Sequence, residues 1–435
     1  VRPRYERLSR WYAVLPAATT ALSGCSGGDT ARPGRSPVPG PAAGVCEQDA
    51  PCGVTIGRTT HRLADGRQVH VTALTVAPTA RVTVGPVVAH RLTTTETVGR
   101  MARRAGAVAT VNGSFFDTPA SPAFSGYAGD PLGIRVVDGE LLSEAADGRT
   151  ALILPGQGGG RARVDEVRSP LTLSAADGAT RELDGVNRVP GRIVGCGGTG
   201  GDRSAATGLP ESRPRHNQLC VDDSEVVAFT PRWGEHTPPG GPGSTEAVLT
   251  ADGRVSEVRS PAGGAVPRDG STLAGVGAGA DWLRAHAGTG ERIAGRTAVT
   301  DRTGRDILAP GVSVMGAGPA LLRGGAVRIN AAANGVSAAS ADARHPRTVA
   351  GVKADGTLLL VVFDGRSARS AGVTLREAAE ILRELGAVEG LNLDGGGSST
   401  MVVGGEAVNR PSESGTPGGR RQRKVADAIA VVPRS

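Results

Sequence analysis

At 435 residues, with 66 Gly, 29 Pro and a hydrophobic fraction of 39%, the chain is long enough to bury a sizeable core in one large domain or two ordinary ones. A net charge of +7, carried almost wholly by Arg, with only 3% aromatic residues does not argue for nucleic acid, because no basic stretch is interleaved with aromatic side chains. Five cysteines without C-x-x-C spacing or an accompanying His cluster do not fit a zinc site.

Residues 1–24 are predicted to be an export signal. Arg2, Arg4, Arg7 and Arg10 make a positive start, and the weakly apolar run 11–24, interrupted by Pro16, is too short to span a bilayer. It ends in Leu22-Ser23-Gly24-Cys25, which resembles the bacterial lipoprotein box. Lipidation at Cys25 would anchor the chain on the outer face of the cytoplasmic membrane; ordinary cleavage and secretion is the alternative. Cys46, Cys52, Cys196 and Cys220 then remain, and Cys46 with Cys52 and Cys196 with Cys220 are the simplest of the three connectivities open to four cysteines. Residues 25–53 are Gly/Pro-rich and read as a flexible tether.

From residue 54 the pattern turns to short β-rich runs. Strands are expected at 69–74, 80–84 and 87–92, and a helix at 95–106 with Thr97, Val98 and Met101 inward. A buried strand at 108–111 would deliver Asn112, Gly113, Ser114, Phe115, Phe116 and Asp117. The two Phe read as core, whereas the Asn112 amide before Gly113 suits orienting a sugar hydroxyl or a phosphate oxygen.

Asp-Gly turns at 138, 147, 177, 252 and 269 punctuate the region 130–310 and predict mostly antiparallel strands. Residues 195–216 read as a surface loop and 281–286 as a helical turn. The run GVGAGA at 275–280 is not G-x-G-x-x-G and predicts no dinucleotide cofactor.

In the closing third, strands are expected at 312–315, 349–352 and 357–363. The last is apolar throughout and so central in its sheet. Thr374 and Glu377 have capping-box spacing, Leu375, Ala378, Ala379, Leu382 and Leu385 share one helical face, and Gly386 stands where a left-handed cap belongs. A strand at 388–393 would end in Asp394. Gly395, Gly396 and Gly397, with free amides, and the hydroxyls of Ser398, Ser399 and Thr400 would surround it, a concavity suited to a phosphate or a sugar. Strands at 400–403 and 425–432 close the chain. Arg420, Arg421, Arg423 and Lys424 between them read as a solvated basic loop able to meet an anionic polymer. The fold class is α+β, mainly antiparallel and mixed sheets with few helices in a single large domain over 54–435.

Six segments together resemble the phosphodiester glycosidase family: VNGSFFD at 111–117, GAGPALL at 316–322, HPRTVAGV at 345–352, DGR at 364–366, LNLDGGGSSTM at 391–401 and VNRPS at 408–412. The resemblance spans roughly residues 60–435. It implies a hydrolase that cleaves a glycosyl-1-phosphodiester at the sugar C1–O bond, in an envelope or extracellular glycan.

An anionic phosphate departs readily, so such a reaction needs its charge held and an oxocarbenium-like centre stabilised more than it needs a general acid. Asp394 is the expected nucleophile or general base, with Asp364 and Asp117 behind it. Arg347 is the expected phosphate clamp, its guanidinium offering a bidentate fork. Asn112, Gly113, His345 and the loop residues 395–400 are expected to bind substrate. No metal constellation is read from the spacing, and a divalent cation at Asp394 stays open. Two other classes fit the same residues: a phosphodiesterase cleaving P–O, and a glycan-binding lipoprotein without catalysis.

Overall fold

The computed structural model describes residues 52–434 except 147, 157–159, 198–199 and 413–420. The leader, Cys25, Cys46 and the tether up to residue 51 lie outside the described residues.

The strand Leu358–Phe363 explains the arrangement around it. All six of its residues are buried, because both faces are covered. Leu358, Leu360 and Val362 pack into a core shared with a second sheet, and Leu359, Val361 and Phe363 pack under a helix. It sits inside a seven-stranded antiparallel sheet running Val54–Arg62, Gln68–Val76, Leu358–Phe363, Arg347–Lys353, Ala387–Asn392, Ala320–Arg323 and Ala326–Val327. The covering helix is Leu375–Glu384, and Thr374 and Glu377 form its capping box. Gly386 follows with φ 93°, the left-handed conformation that ends a helix and that glycine adopts without penalty.

On the other side lies a five-stranded antiparallel sheet that includes Ala109–Asn112, Met401–Val403, Asp427–Pro433 and, at its edge, Val82–Val88. The expected break between strands at 80–84 and 87–92 is absent: Val82–Val88 runs through Pro86, and 89–92 is loop. An edge position accounts for this, since Pro lacks only an N–H that the edge does not need. The helix expected at 95–106 is Val98–Ala105, with Thr97 as its cap and Gly106 left-handed after it.

The middle region is strand-rich as expected, in six-, five- and three-stranded sheets. Its pairings are antiparallel apart from Gly185–Val186 against Val226–Phe229. At the first Asp-Gly turn both Asp138 (φ 51°) and Gly139 (φ 88°) are left-handed, which a tight hairpin turn requires. The bond Cys196–Cys220 is formed. Cys52 is exposed and unbridged, and its expected partner Cys46 lies outside the described residues. Much of 195–216 is exposed, but the loop's end is tucked in: His216 donates its main-chain N–H to Gly335 O, and its ring stands edge-on to Phe115 at 5.6 Å.

Candidate active site

The strand Ala387–Asn392 carries the chain to Asp394 at a seam between the two sheets, and Asn112 holds that seam. Its Nδ2 donates to Asp394 O at 2.7 Å, and its Oδ1 accepts from Thr348 Oγ1 at 2.7 Å and Thr400 N at 3.0 Å. Main-chain bonds add to the join, from Asp394 N to Gly113 O at 3.0 Å and from Asn112 N to Thr400 O at 3.1 Å. Asn112 is fully buried. It positions the loop that carries Asp394 and has no face toward a substrate, contrary to the role expected of it.

Gly113 is fixed by what lies behind it. A Cβ there would come 2.2 Å from Asp427 Oδ1 and 2.5 Å from Met315 Cε. Ser114 donates both N–H and Oγ–H to Asp427, and accepts from Arg135 Nη2 at 2.8 Å. Arg135 in turn pairs with Asp427 inside the protein. The 111–117 motif is therefore a support beneath Asp394. Asp117 belongs to it: it is wholly buried, accepts Ser125 N at 2.6 Å and is pushed up by burial.

Asp394 itself is part-buried. Burial is the main cause that raises its carboxyl to about 6; Ser398, Arg423 and the Gly395 N–H oppose this, and Asp427 adds to it. The Gly395 amide reaches Asp394 Oδ1 at 2.9 Å, and Gly396 N donates to Pro346 O at 2.8 Å. Two of the three expected free amides are thus consumed in shaping the loop, because its turn folds back on its own carboxylate and on the strand entry at Pro346. The hydroxyls are different. Ser398 Oγ faces the Asp394 carboxyl, while Ser399 Oγ and Thr400 Oγ1 are buried and make no hydrogen bond, leaving two unsatisfied groups that a buried water would relieve.

Two guanidinium groups stand over this loop. A Cβ on Gly396 would lie 3.1 Å from Arg366 Nη2, and one on Gly397 2.8 Å from Arg423 Cζ, so the glycines make room for both Arg side chains. Arg366 reaches its place from a left-handed backbone, φ 56°, which costs roughly 1 kcal/mol outside glycine. Burial and the nearby Arg423 lower the Arg366 guanidinium. Burial, then Arg347 and Arg366, lower His345, which places it in the same electropositive cluster.

Sequence alone marks neither Arg as a site residue: Arg366 stands within DGR at 364–366, and Arg423 within a segment that reads as a solvated basic loop. The signal available was composition: three glycines beside a carboxylate leave space that long cations can fill.

Arg347 departs from the clamp expected of it. Nε donates to Val373 O at 2.8 Å, and Nη2 to Ser340 O at 3.1 Å and Ala343 O at 3.0 Å. These carbonyls come from the segments on either side of its strand, and burial brings the group down to about 10. Three main-chain acceptors occupy most of the fork. Asp364 is also half committed: Oδ1 accepts Asn409 Nδ2 at 3.0 Å and Arg410 N at 2.9 Å, and burial raises it against those bonds. Asn409 ties it to the glycine loop by donating to Ser399 O at 3.1 Å and accepting Met401 N at 2.8 Å.

Among the described residues no group of three His, Cys, Asp or Glu is arranged to hold a metal ion.

Residues 244–432 match the phosphodiester glycosidase family, a span that holds Asp394, Arg366, Arg423 and the 408–412 segment but not Asn112. A crystal structure from Burkholderia pseudomallei K96243, of a protein described as exported, is 31% identical, covering 85% of this chain and 74% of that one with a TM-score of 0.72. The SPbeta prophage-derived protein YomE of Bacillus subtilis is 34% identical over 93 residues, 21% of this chain and 14% of that protein. N-acetylglucosamine-1-phosphodiester alpha-N-acetylglucosaminidase of Mus musculus is 42% identical over 67 residues, 15% of this chain and 13% of the enzyme. The chain thus spans about a seventh of the length of these curated relatives. The glycine loop and its Arg neighbours thus lie inside the stretch, residues 244–432, that matches the phosphodiester glycosidase family.

Proposed function

We propose that the protein hydrolyses a glycosyl-1-phosphodiester at the sugar C1–O bond, with Asp394 as general base. The observation that carries this reading is a carboxyl raised to about 6 beside two guanidinium groups at the glycine loop. A base of that strength is largely ionised at neutral pH yet still able to take a proton. Ionised Asp394 removes a proton from water as the water oxygen bonds to C1. The C1–O bond breaks, and its electron pair stays on the phosphate oxygen. Arg366 and Arg423 hold the charge that grows there. The Ser398 hydroxyl steadies the Asp394 carboxylate, and the buried hydroxyls of Ser399 and Thr400 are placed to hold water within the loop. The family match over 244–432 and the similarity to the mouse N-acetylglucosaminidase support the reaction class.

Kinetics on a sugar-1-phosphodiester test it. Asp394→Asn removes the base and is expected to cut kcat at least 100-fold with KM little changed, whereas Arg423→Ala raises KM and lowers kcat together. Wild-type turnover in Asp394→Asn would overturn the assignment.

The reading extends to location: an exported protein anchored through lipid on Cys25. The Cys196–Cys220 disulfide suits an oxidising compartment, and the Burkholderia relative is described as exported. No helix among the described residues is long and apolar enough to cross a membrane. Detergent phase partitioning tests the anchor: the wild type should enter the detergent phase and Cys25→Ser should not, and a fully aqueous wild type would contradict it.

A further inference from the structure

Two basic cavities flank the loop at Asp394, and the reaction as described uses only one of their residues. The first, about 530 Å³, is lined by Arg58, His70, Arg369 and Arg410, with Asp364 as its single carboxylate. The second, about 630 Å³, is lined by Arg421, Arg423 and Lys424 and has no carboxylate in its wall. Each falls in the size range of ligand pockets. They share no lining residue, and each meets the glycine loop through its own contact. In the first, Asn409 donates to Ser399 O at 3.1 Å; in the second, Arg423 covers Gly397.

Some exposed Arg side chains on this protein find carboxylates, as Arg232 does with Glu140 at 2.9 Å and Arg203 with Asp223 at 2.9 Å, and others stand singly on the surface; the cavity cations differ in being gathered around one space. Arg58, Arg369, Arg410, Arg421 and Lys424 make no side-chain hydrogen bond or ion pair among the described residues. Like charges gathered around one centre repel each other and focus a field that draws anions in. One diester carries one negative charge, and Arg366 with Arg423 already meets it. The cations farther out need more than one charge to answer them.

The walls also say what lies between those charges. Thr59, Thr60 and Ser367 line the first cavity beside Asp364, a set of donors and acceptors for hydroxyl groups. Apart from His70 in the first and Phe116 in the second, neither wall has a ring on which a base could stack, whereas single-stranded nucleic acid wants a succession of them.

We propose that the two cavities are subsites for a polymer of sugars joined through phosphates, laid across Asp394 so that the linkage cleaved is internal. This rests on the hydrolytic reading of Asp394, but it is tested by binding, which does not need turnover. The probes are fluorescent oligomers of N-acetylglucosamine-1-phosphate with two and six repeats, measured by anisotropy at 50 mM and 300 mM salt. The six-repeat probe is expected to bind at least tenfold more tightly than the two-repeat probe at low salt, and the ratio should shrink as salt screens the outer charges. In Arg58→Glu/Arg369→Glu the ratio should fall toward one, and Arg58→Lys/Arg369→Lys should restore it, which a folding defect would not do. Equal affinity for both lengths, or a ratio untouched by charge reversal, would overturn the proposal. Length-dependent binding without hydrolysis would instead sink the reaction assigned to Asp394 and leave the subsites standing.

Discussion

The Asn112 side-chain amide donates to the main-chain carbonyl of Asp394 at 2.7 Å, so the residue assigned to the chemistry is held by one that lies 282 positions earlier on the other sheet. Replacing Asn112 with Leu would strand three buried groups, the Thr348 hydroxyl, Thr400 N–H and Asp394 C=O. Each such orphan costs about 1–3 kcal/mol. We expect urea unfolding to show a loss of roughly 3 kcal/mol or more, and kcat to fall in the folded fraction because the loop is free to shift. A variant as stable as the wild type would show that the amide does not carry the seam.

Gly113 and Gly395 offer a contrast between two glycines close to Asp394. A Cβ at 113 meets Asp427 Oδ1 at 2.2 Å, whereas one at 395 has Pro346 O as its nearest neighbour at 3.1 Å. Gly113→Ala should therefore displace the Asp427 carboxylate from Ser114 and Arg135 and lower stability by about 3 kcal/mol or prevent folding. Gly395→Ala should cost less than about 1.5 kcal/mol. Melting temperatures of the two variants, compared with the wild type, decide it; equal losses would contradict the packing argument.

Asp394 makes both rate and stability depend on pH. Its carboxyl is raised from 3.8 to about 6, so kcat/KM should rise as pH passes through about 6 and then level. In stability the sign is opposite. The folded state holds the Asp394 proton more tightly than the unfolded state does, so this contribution is full below pH 3.8 and is lost as pH rises through about 6. Asp394→Asn removes the titration. Its stability relative to wild type should increase between pH 4 and pH 6.5 by on the order of 2 kcal/mol. Unfolding curves at pH 4, 5, 6 and 7 check this, and a difference that stays constant would contradict the raised carboxyl.

Arg347 and Arg366 should fail in different ways. Arg347 is spent on the carbonyls of Val373, Ser340 and Ala343, so Arg347→Ala should lower stability by roughly 3 kcal/mol. Lys cannot reproduce the fork and should rescue little. Arg366 lies over Gly396, and Arg366→Ala should reduce kcat/KM at least 30-fold with a smaller loss of stability than Arg347→Ala. A thermal shift paired with steady-state kinetics separates the two, and the reverse pattern would exchange their roles.

Sequence periodicity located the elements that place Asp394, because the helix Leu375–Glu384 and the strands around it obey local rules of capping and burial. The continuous apolar run at 358–363 signalled a strand covered on both faces, and the two cores confirm it. What sequence could not supply was direction across the seam. Asn112 and Arg347 have side chains suited to a ligand, but whether they meet a ligand or the protein's own backbone depends on partners far away in the chain. Arg423 shows the converse: a charged residue in a Gly-rich, strongly basic segment looks solvated until the short strand Lys424–Val425 pairs with Glu96–Thr97. Gln422 accepts Gly99 N at 3.0 Å, and together these contacts bring the segment down onto Gly397. Pro86 misled in a simpler way, since a local break signal carries no information about being at a sheet edge.

The most direct test of the central claim is the position of the broken bond. Hydrolysis of a sugar-1-phosphodiester in oxygen-18 water, followed by mass spectrometry of both products, reports which atom accepted the water oxygen. Attack at C1 with Asp394 as base predicts one heavy oxygen in the released sugar and none in the phosphate, with turnover lost in Asp394→Asn. Heavy oxygen in the phosphate would mean P–O cleavage and would contradict the account.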